Sequence, residues 1–306
     1  MKEIIFSKEI IMNEVIKTSH NQSPLTNALV LGGGGSFGIG WETGYLAGLA
    51  DSGIDTRLAD LFVGTSAGSN VGAYISSRLP WDDIWERLVN PKSEELKPSG
   101  SLSDSLFAKY DEIAASSKTP EEWIQRIGKL AIESKTITEN EQLSRIRTRI
   151  GDLQWAETLR ITAIELTTSE RVVWGSNSDI ELLQAVSASS SLAGVYPPTT
   201  IGSRQYIDGG THSMENADIA EGASKVLILS VGLPVQTPFK LEDQIRHLQE
   251  SGSKVELVKP NKKTYAALQQ LGGNPVDPRI RPEIAACGRE QGHEDAERIA
   301  KFWNQS

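Results

Sequence analysis

Apolar and polar positions fall into blocks that spell out strand, glycine turn and helix in succession. Asn27 to Leu31 is a short apolar run ending in Gly32 to Gly35, and Gly40 to Ala50 then carries a helical pattern broken by further glycines. Asp60 to Val63 is a second apolar run, followed by Gly64-Thr65-Ser66-Ala67-Gly68 and an apolar face containing Val71 and Ile75. This repeated alternation predicts an α/β fold: a mainly parallel central sheet covered by helices, with ligands at the carboxyl ends of the strands.

From Pro80 to about Ile150 the texture becomes charged and helix-forming. Thr119-Pro120-Glu121-Glu122 supplies a cap, a first-turn proline and acids, while Thr138 and Glu141 have capping-box spacing. The stretch reads as a helical insertion over 80–150, too long for an ordinary connection. Trp81, Trp85 and Leu88 form an apolar stripe in it, suited to lining a channel or docking on the sheet. Strand signals resume at Ile161 to Thr167, Val172 to Trp174, Gln205 to Ile207, Val226 to Val231 and Lys254 to Val258. Residues 262–303 read as helical around a break at Gly272 to Pro282.

The length, 306 residues, accommodates one large domain or two, and ordinary apolar and charged fractions exclude disorder, collagen and coiled coil as overall descriptions. Forty acidic against 31 basic residues give a formal charge of -9, which offers nucleic acid no basic field and excludes it as an expected partner. One cysteine, Cys287, rules out an internal disulfide framework and multi-cysteine zinc sites. No apolar stretch is long enough to span a bilayer, and charges at Glu3, Lys8, Glu9, Glu14 and Lys17 break up any secretory signal, so a cytoplasmic location is expected. Ile4, Ile5, Ile11, Met12 and Val15 suit packing on the main body or lying on a lipid surface; the balanced charge around them favours packing.

Two glycine motifs carry the chemistry. In Gly32-Gly33-Gly34-Gly35-Ser36-Phe37-Gly38, side chains are stripped away so that amide N–H groups can converge on an anion. A P-loop would need Gly-Lys-Ser/Thr at its end, and none is present. Gly33, Gly35 and Gly38 fit G-x-G-x-x-G, but the acid expected to end the second strand, Asp60, begins it. An oxyanion hole is favoured over that reading and over a purely structural turn. Gly64 to Gly68 fits G-x-S-x-G between a predicted strand and helix, the setting of a nucleophile elbow presenting Ser66. Its base is sought among four histidines and nearby acids. His20, His247 and His293 read as solvated surface groups; His212 follows Asp208-Gly209-Gly210, and Asp208 falls at the carboxyl end of a predicted strand, on the sheet edge shared with Ser66.

The glycine loop with Gly44 and Leu46, the elbow, and Asp208-Gly209-Gly210 together resemble, in order, the three signatures of the patatin-like phospholipases; Ala188 to Pro198 also resembles the small-residue segment before the family's aspartate. The resemblance covers about Ala28 to Ala223. It implies a three-layer α/β/α domain over 25–306, with residues 1–24 as an extension, hydrolysing lipid acyl esters without metal or cofactor. Carried over by position, Ser66 is the nucleophile, Asp208 the base, and the amides of Gly33, Gly34, Gly35 and Ala67 the oxyanion hole, with Gly64, Gly68, Gly209 and Gly210 as supporting motif positions. The implied partner is a phospholipid or other fatty-acyl ester, met by peripheral contact with a membrane surface. Two departures stand out: Phe37 occupies a position often Arg or Lys in the family, and the Gly38 to Gly44 segment is one residue longer than the common form. The rival readings are a Ser66–acid–His293 triad esterase and a non-catalytic acyl-lipid binder.

Overall fold

The structure is a computed structural model and describes residues 25–97, 100, 102–233 and 235–304; the extension 1–24, with its apolar spacing, lies outside them. Strands β1 (Asn27–Leu31), β2 (Leu61–Gly64), β3 (Leu159–Glu165), β4 (Glu170–Trp174), β5 (Thr199–Ile201), β6 (Arg204–Asp208), β7 (Lys225–Leu229) and β8 (Lys254–Val258) form one sheet, in the order β5-β6-β3-β2-β1-β7-β8 with β4 paired to β3 off that path. From β3 through β2, β1 and β7 to β8 the pairing is parallel, and β4, β5 and β6 form an antiparallel corner.

The helices are α1 (Gly35–Asp51), α2 (Ala67–Ser76), α3 (Trp81–Leu88), α4 (Asp104–Ser116), α5 (Pro120–Glu133), α6 (Glu139–Ile150), α7 (Leu182–Ser189), α8 (Leu241–Glu250), α9 (Lys262–Gln270) and α10 (Arg281–Trp303). The apolar runs are continuous because the central strands are covered on both sides. Leu29, Leu31, Leu227 and Leu229 face a core completed by α1, α2, α9 and α10. Their neighbours Ala28, Val30, Val226 and Ile228 face a second core closed by α8 and the turn at Ala217–Ala220. These are the two outer layers of a three-layer α/β/α arrangement.

Glycines do not break α1. It starts at Gly35, runs for 17 residues and is buried almost throughout. Gly44 is its contact point with α10: a methyl group there would run into the Ala285 carbonyl, so the absent side chain lets two backbones touch. At the other end of the sequence, Pro282 stands in the first turn of α10, where its missing N–H costs nothing, rather than in the break before it.

Helices α3 to α6 occupy the stretch after the elbow helix. Thr119 caps α5 by accepting from the Glu122 amide with Pro120 in its first turn, and Thr138 with Glu141 closes the capping box of α6. Ile84 and Leu88 of α3 are fully buried in the main core, with Trp81 packed against it. Trp85 meets the Arg289 guanidinium. The stripe on α3 is therefore a docking face. A separate cluster joins Leu106 and Tyr110 of α4 and Trp123, Ile124 and Ile127 of α5 to Ile164 of β3 and Ile207 of β6. Among the described residues no helix is long and apolar enough to cross a membrane.

Candidate active site

β3 acts as a common ruler for the two motifs. Along one edge it pairs with β2 as far as Gly64 opposite Ile161, and with β6 from Asp208 opposite Ala163. The other edge is taken by β4, which spans Ile161 to Glu165. β2 and β6 therefore run toward each other on the same edge, and their carboxyl ends meet with only Thr162 between them. Asp208 thus reaches Ser66 from the opposite direction, on an antiparallel strand, and not from a neighbouring parallel one. Asn216, fully buried and left-handed at φ 51°, ties the junction together. Its Nδ2 donates to Thr65 Oγ1 at 3.0 Å, Thr162 Oγ1 at 3.3 Å, Gly209 O at 3.3 Å and Ser213 O at 2.7 Å.

Ser66 lies between β2 and α2 with φ 53° and ψ −112°, a backbone state that a residue with a side chain holds only when its surroundings enforce it. The enforcement is visible. The Ser66 amide donates to Ser189 Oγ at 2.9 Å, and its carbonyl accepts from Ser69 Oγ at 2.6 Å and Asn70 Nδ2 at 3.0 Å. Gly68 donates to Gly32 O at 3.0 Å, locking the elbow to the glycine loop; a methyl on Gly68 would strike the Leu31 carbonyl. Ser66 also sits at the amino end of α2, where the helix dipole favours negative charge.

Asp208 is buried and accepts from the Gly210 amide through Oδ1 at 2.8 Å. Burial pushes its pKa up to about 7, and hydrogen bonding from the Ser66 hydroxyl and the Gly210 amide draws it back. Oδ2 has no hydrogen-bond partner of good geometry, so the two side chains are neighbours rather than a closed pair. Both line one cavity, together with Gly34, Gly35 and Ala67. Its apolar wall comes from Phe107, Tyr110, Trp123 and Ile146 on α4, α5 and α6, joined by Leu192 and Val276. The region after the elbow helix thus faces the site through α4, α5 and α6, with Gln142, Arg145 and Arg149 beside these apolar side chains, and not through the α3 stripe.

Of the amides singled out in the sequence, Gly33 N–H is committed to Met214 O at 2.7 Å. Those of Gly34, Gly35 and Ala67 make no hydrogen bond among the described residues. Phe37 is fully buried and packs against Tyr265 with ring centroids 5.8 Å apart, so the glycine loop brings no cation to the cavity.

The histidines stand apart. His293 Nε2 is 2.8 Å from Asp51, the last residue of α1, which at ~1.5 Å per residue lies about 24 Å along that helix from Gly35. The Ser66–acid–His293 triad is therefore not assembled. His212 stacks on Phe239 at 3.9 Å; burial, then the nearby Arg171, lowers its pKa to about 4, and it does not line the cavity. His247 pairs with Glu221 at the surface, and His20 lies outside the described residues. Among the described residues no cluster of three or more His, Cys, Asp or Glu side chains is placed to hold a metal. Sequence reasoning passed over Asn70, Ser189 and Asn216. Asn70, one helical turn beyond Ser66, and Ser189, within the small-residue segment from Ala188, carried local signals; Asn216 carried none.

A three-layer fold, a strained serine turn and a buried carboxylate thus meet at one cavity. Residues 29–221 match the patatin-like phospholipase family, and the chain belongs to it. No curated protein matches the chain significantly. Among solved structures, VipD from Legionella pneumophila is 12% identical with a TM-score of 0.45, over 90% of this chain and 67% of that one. The type III effector protein ExoU is 16% identical with a TM-score of 0.39, over 90% of this chain and 53% of that one. Full-length ExoU in its complex with SpcU, from Pseudomonas aeruginosa, gives 17% and 0.36, over 89% and 53%. The chain thus spans about half the length of ExoU.

Proposed function

We propose that the protein is a lipid acyl hydrolase in which Ser66 attacks an ester carbonyl and Asp208 is the general base. The observation that carries this reading is the strained Ser66 beside a buried carboxylate with one uncommitted oxygen. A carboxylate with a pKa near about 7 is matched to proton transfer at neutral pH, where an ordinary aspartate is too weak a base. Asp208 takes the Ser66 proton as the C–O bond forms, and returns it to the departing alcohol. The acyl-enzyme is then hydrolysed by water that Asp208 deprotonates. The amides of Gly34, Gly35 and Ala67 receive the oxyanion, with Gly33 holding the loop in place through Met214. The aromatic wall from α4 and α5 suits a fatty-acyl chain.

Labelling with a fluorophosphonate followed by peptide mapping tests the assignment: modification is expected at Ser66 and no label in Ser66→Ala. Hydrolysis of a fatty-acyl nitrophenyl ester should fall by about 10³-fold or more in that variant, with its fold retained. Full activity in Ser66→Ala would remove this serine from the reaction.

A further inference from the structure

The Ser66 turn is gripped from outside its own motif. Its carbonyl lies trans to the N–H of Ala67 across one planar peptide unit, so whatever fixes Ser66 O also fixes the direction in which the Ala67 amide points. That amide makes no hydrogen bond among the described residues, whereas the carbonyl accepts from Ser69 Oγ at 2.6 Å and Asn70 Nδ2 at 3.0 Å. The Ser69 contact stays within the turn, but the far end of Asn70 leads away from it. Asn70 is only 1% exposed, and its Oδ1 accepts from Arg149 Nη1 at 2.7 Å. A guanidinium can only donate, so this contact settles which end of the amide faces Ser66.

Arg149, near the end of α6, is itself anchored. Its Nε donates to Glu95 Oε1 at 2.8 Å, and its backbone carbonyl accepts from the Tyr74 hydroxyl of α2 at 2.6 Å. Arg281, the first residue of α10 and completely buried, lies 2.8 Å from the same Glu95 oxygen, while Glu95 Oε2 accepts from the Lys92 amide at 3.2 Å. Burial alone would raise the Glu95 pKa, but Arg149 and Arg281 hold it below the ordinary carboxylate range, so the group is ionised at neutral pH. A chain of contacts therefore runs from a buried ion pair, through one guanidinium and one amide, to the peptide bond that follows the nucleophile. Asn70, Arg149, Glu95 and Arg281 all lie outside the glycine loop, the elbow pentapeptide and Asp208-Gly209-Gly210.

We propose that Asn70 and Arg149 are positioning residues that aim and polarise the Ala67 N–H for the oxyanion formed at Ser66. A hydrogen bond to a peptide carbonyl draws electron density from the amide and makes its N–H a better donor, and a cation on the far side of Asn70 acts in the same sense. The two contacts also help to hold the Ser66 backbone in a conformation that it would otherwise leave. Their effect is felt where negative charge develops, so it belongs to the transition state rather than to the bound ester. This inference rests on the hydrolase reading and deepens it: α6 supplies part of the cavity wall and also, through Arg149, steers the oxyanion hole.

The test compares Asn70→Ala, Arg149→Met and the double variant in the full chain, on a fatty-acyl nitrophenyl ester. Arg149→Met leaves Glu95 beside Arg281 at 2.8 Å, so no buried charge is stranded. We expect kcat to fall about tenfold or more in Arg149→Met and further in Asn70→Ala, with KM nearly unchanged. Because Arg149 acts through Asn70, the double variant should be no slower than Asn70→Ala alone. Losses that multiply would overturn the relay, and a raised KM at constant kcat would make the two residues substrate contacts instead. Burial, the Ser66 hydroxyl and the Gly210 amide set the Asp208 pKa, so the midpoint of the pH–rate profile should stay in place in Arg149→Met; a displaced midpoint would mean that the guanidinium acts on the carboxylate by its charge, against the proposal. Should Asn70→Ala not fold, Asn70→Asp replaces it, since it keeps an acceptor for Arg149 but has no hydrogen for the Ser66 carbonyl. In protein carrying isotope-labelled alanine, the Ala67 amide resonance should shift in both single variants and no further in the double one, and a resonance indifferent to Arg149→Met would by itself overturn the relay. If the unmodified protein neither takes up a fluorophosphonate nor cleaves the ester, the hydrolase reading fails, and the resonance still decides whether Arg149 reaches the Ala67 peptide.

Discussion

Asp208 shows what burial does to a single side chain. Removing a carboxylate from water without an ion-pair partner favours its protonated form, and the Ser66 hydroxyl and the Gly210 amide oppose this. If Asp208 is the general base proposed above, its pKa of about 7 makes kcat/KM rise tenfold per pH unit below that value and level off above it. Asp208→Asn should abolish this limb together with nearly all turnover, whereas His212→Ala and His293→Ala should keep both. A pH–rate profile on a short-chain ester measures it, and an unchanged rising limb in a partly active Asp208→Asn would assign the titration to another group. Motif reading singled out Ser66 and Asp208 because each sits in a local glycine pattern. Nothing local marks Asn216, which binds four acceptors across the strand junction, and although Ser189 lies in the small-residue segment from Ala188, its bond to the Ser66 amide exists only once distant segments meet.

The elements show the same division between local and distant causes. Caps on α5 and α6 were legible because a capping box is confined to four residues, and the short apolar runs were legible because a doubly covered strand is apolar throughout. The glycines of α1 misled in the other direction. Judged by propensity they interrupt a helix, yet contact with α10 overrides propensity by rewarding the missing side chains. Gly44→Ala should therefore destabilise the protein despite alanine's better helix propensity, by about 1–3 kcal/mol and more if the two backbones must separate. A urea titration gives the value; a stabilised Gly44→Ala would show that α1 and α10 do not approach as closely as their backbones indicate. The direction of β6 was equally hidden, since an apolar run reads the same whether its partner is parallel or antiparallel.

For the molecule as a whole, buried acids set how stability depends on pH. Glu42 is fully buried within α1, and neither of its oxygens has a hydrogen-bond partner of good geometry. Burial pushes its pKa well above the usual carboxylate range, with Glu215 adding to the effect. The folded state therefore keeps a proton that the unfolded chain releases above about pH 4.5, so this group's contribution to stability declines as pH rises through that region and beyond. Glu95 and Asp218, held down by arginines, work in the opposite sense, losing their contribution as acid protonates them. Glu42→Gln, which imitates the protonated form, should raise Tm at pH 8 and leave it nearly unchanged at pH 4. A Tm gain that is equal at both pH values would mean that Glu42 is not the group titrating.

The head-on meeting of β2 and β6 also bears on when the site comes into being. β2 lies in the first quarter of the chain, but β6 ends only at Asp208, and both are measured out along β3, which itself is made after α6. A chain emerging from the ribosome can thus complete its elbow early while the carboxylate that would arm Ser66 has not yet been synthesised. Long-range strand pairing is the slow part of folding such a sheet, and the serine and the carboxylate come together only once β6 has paired with β3. The order of the strands along this chain therefore puts the meeting of Ser66 and Asp208 after β6, well after the elbow itself has been made.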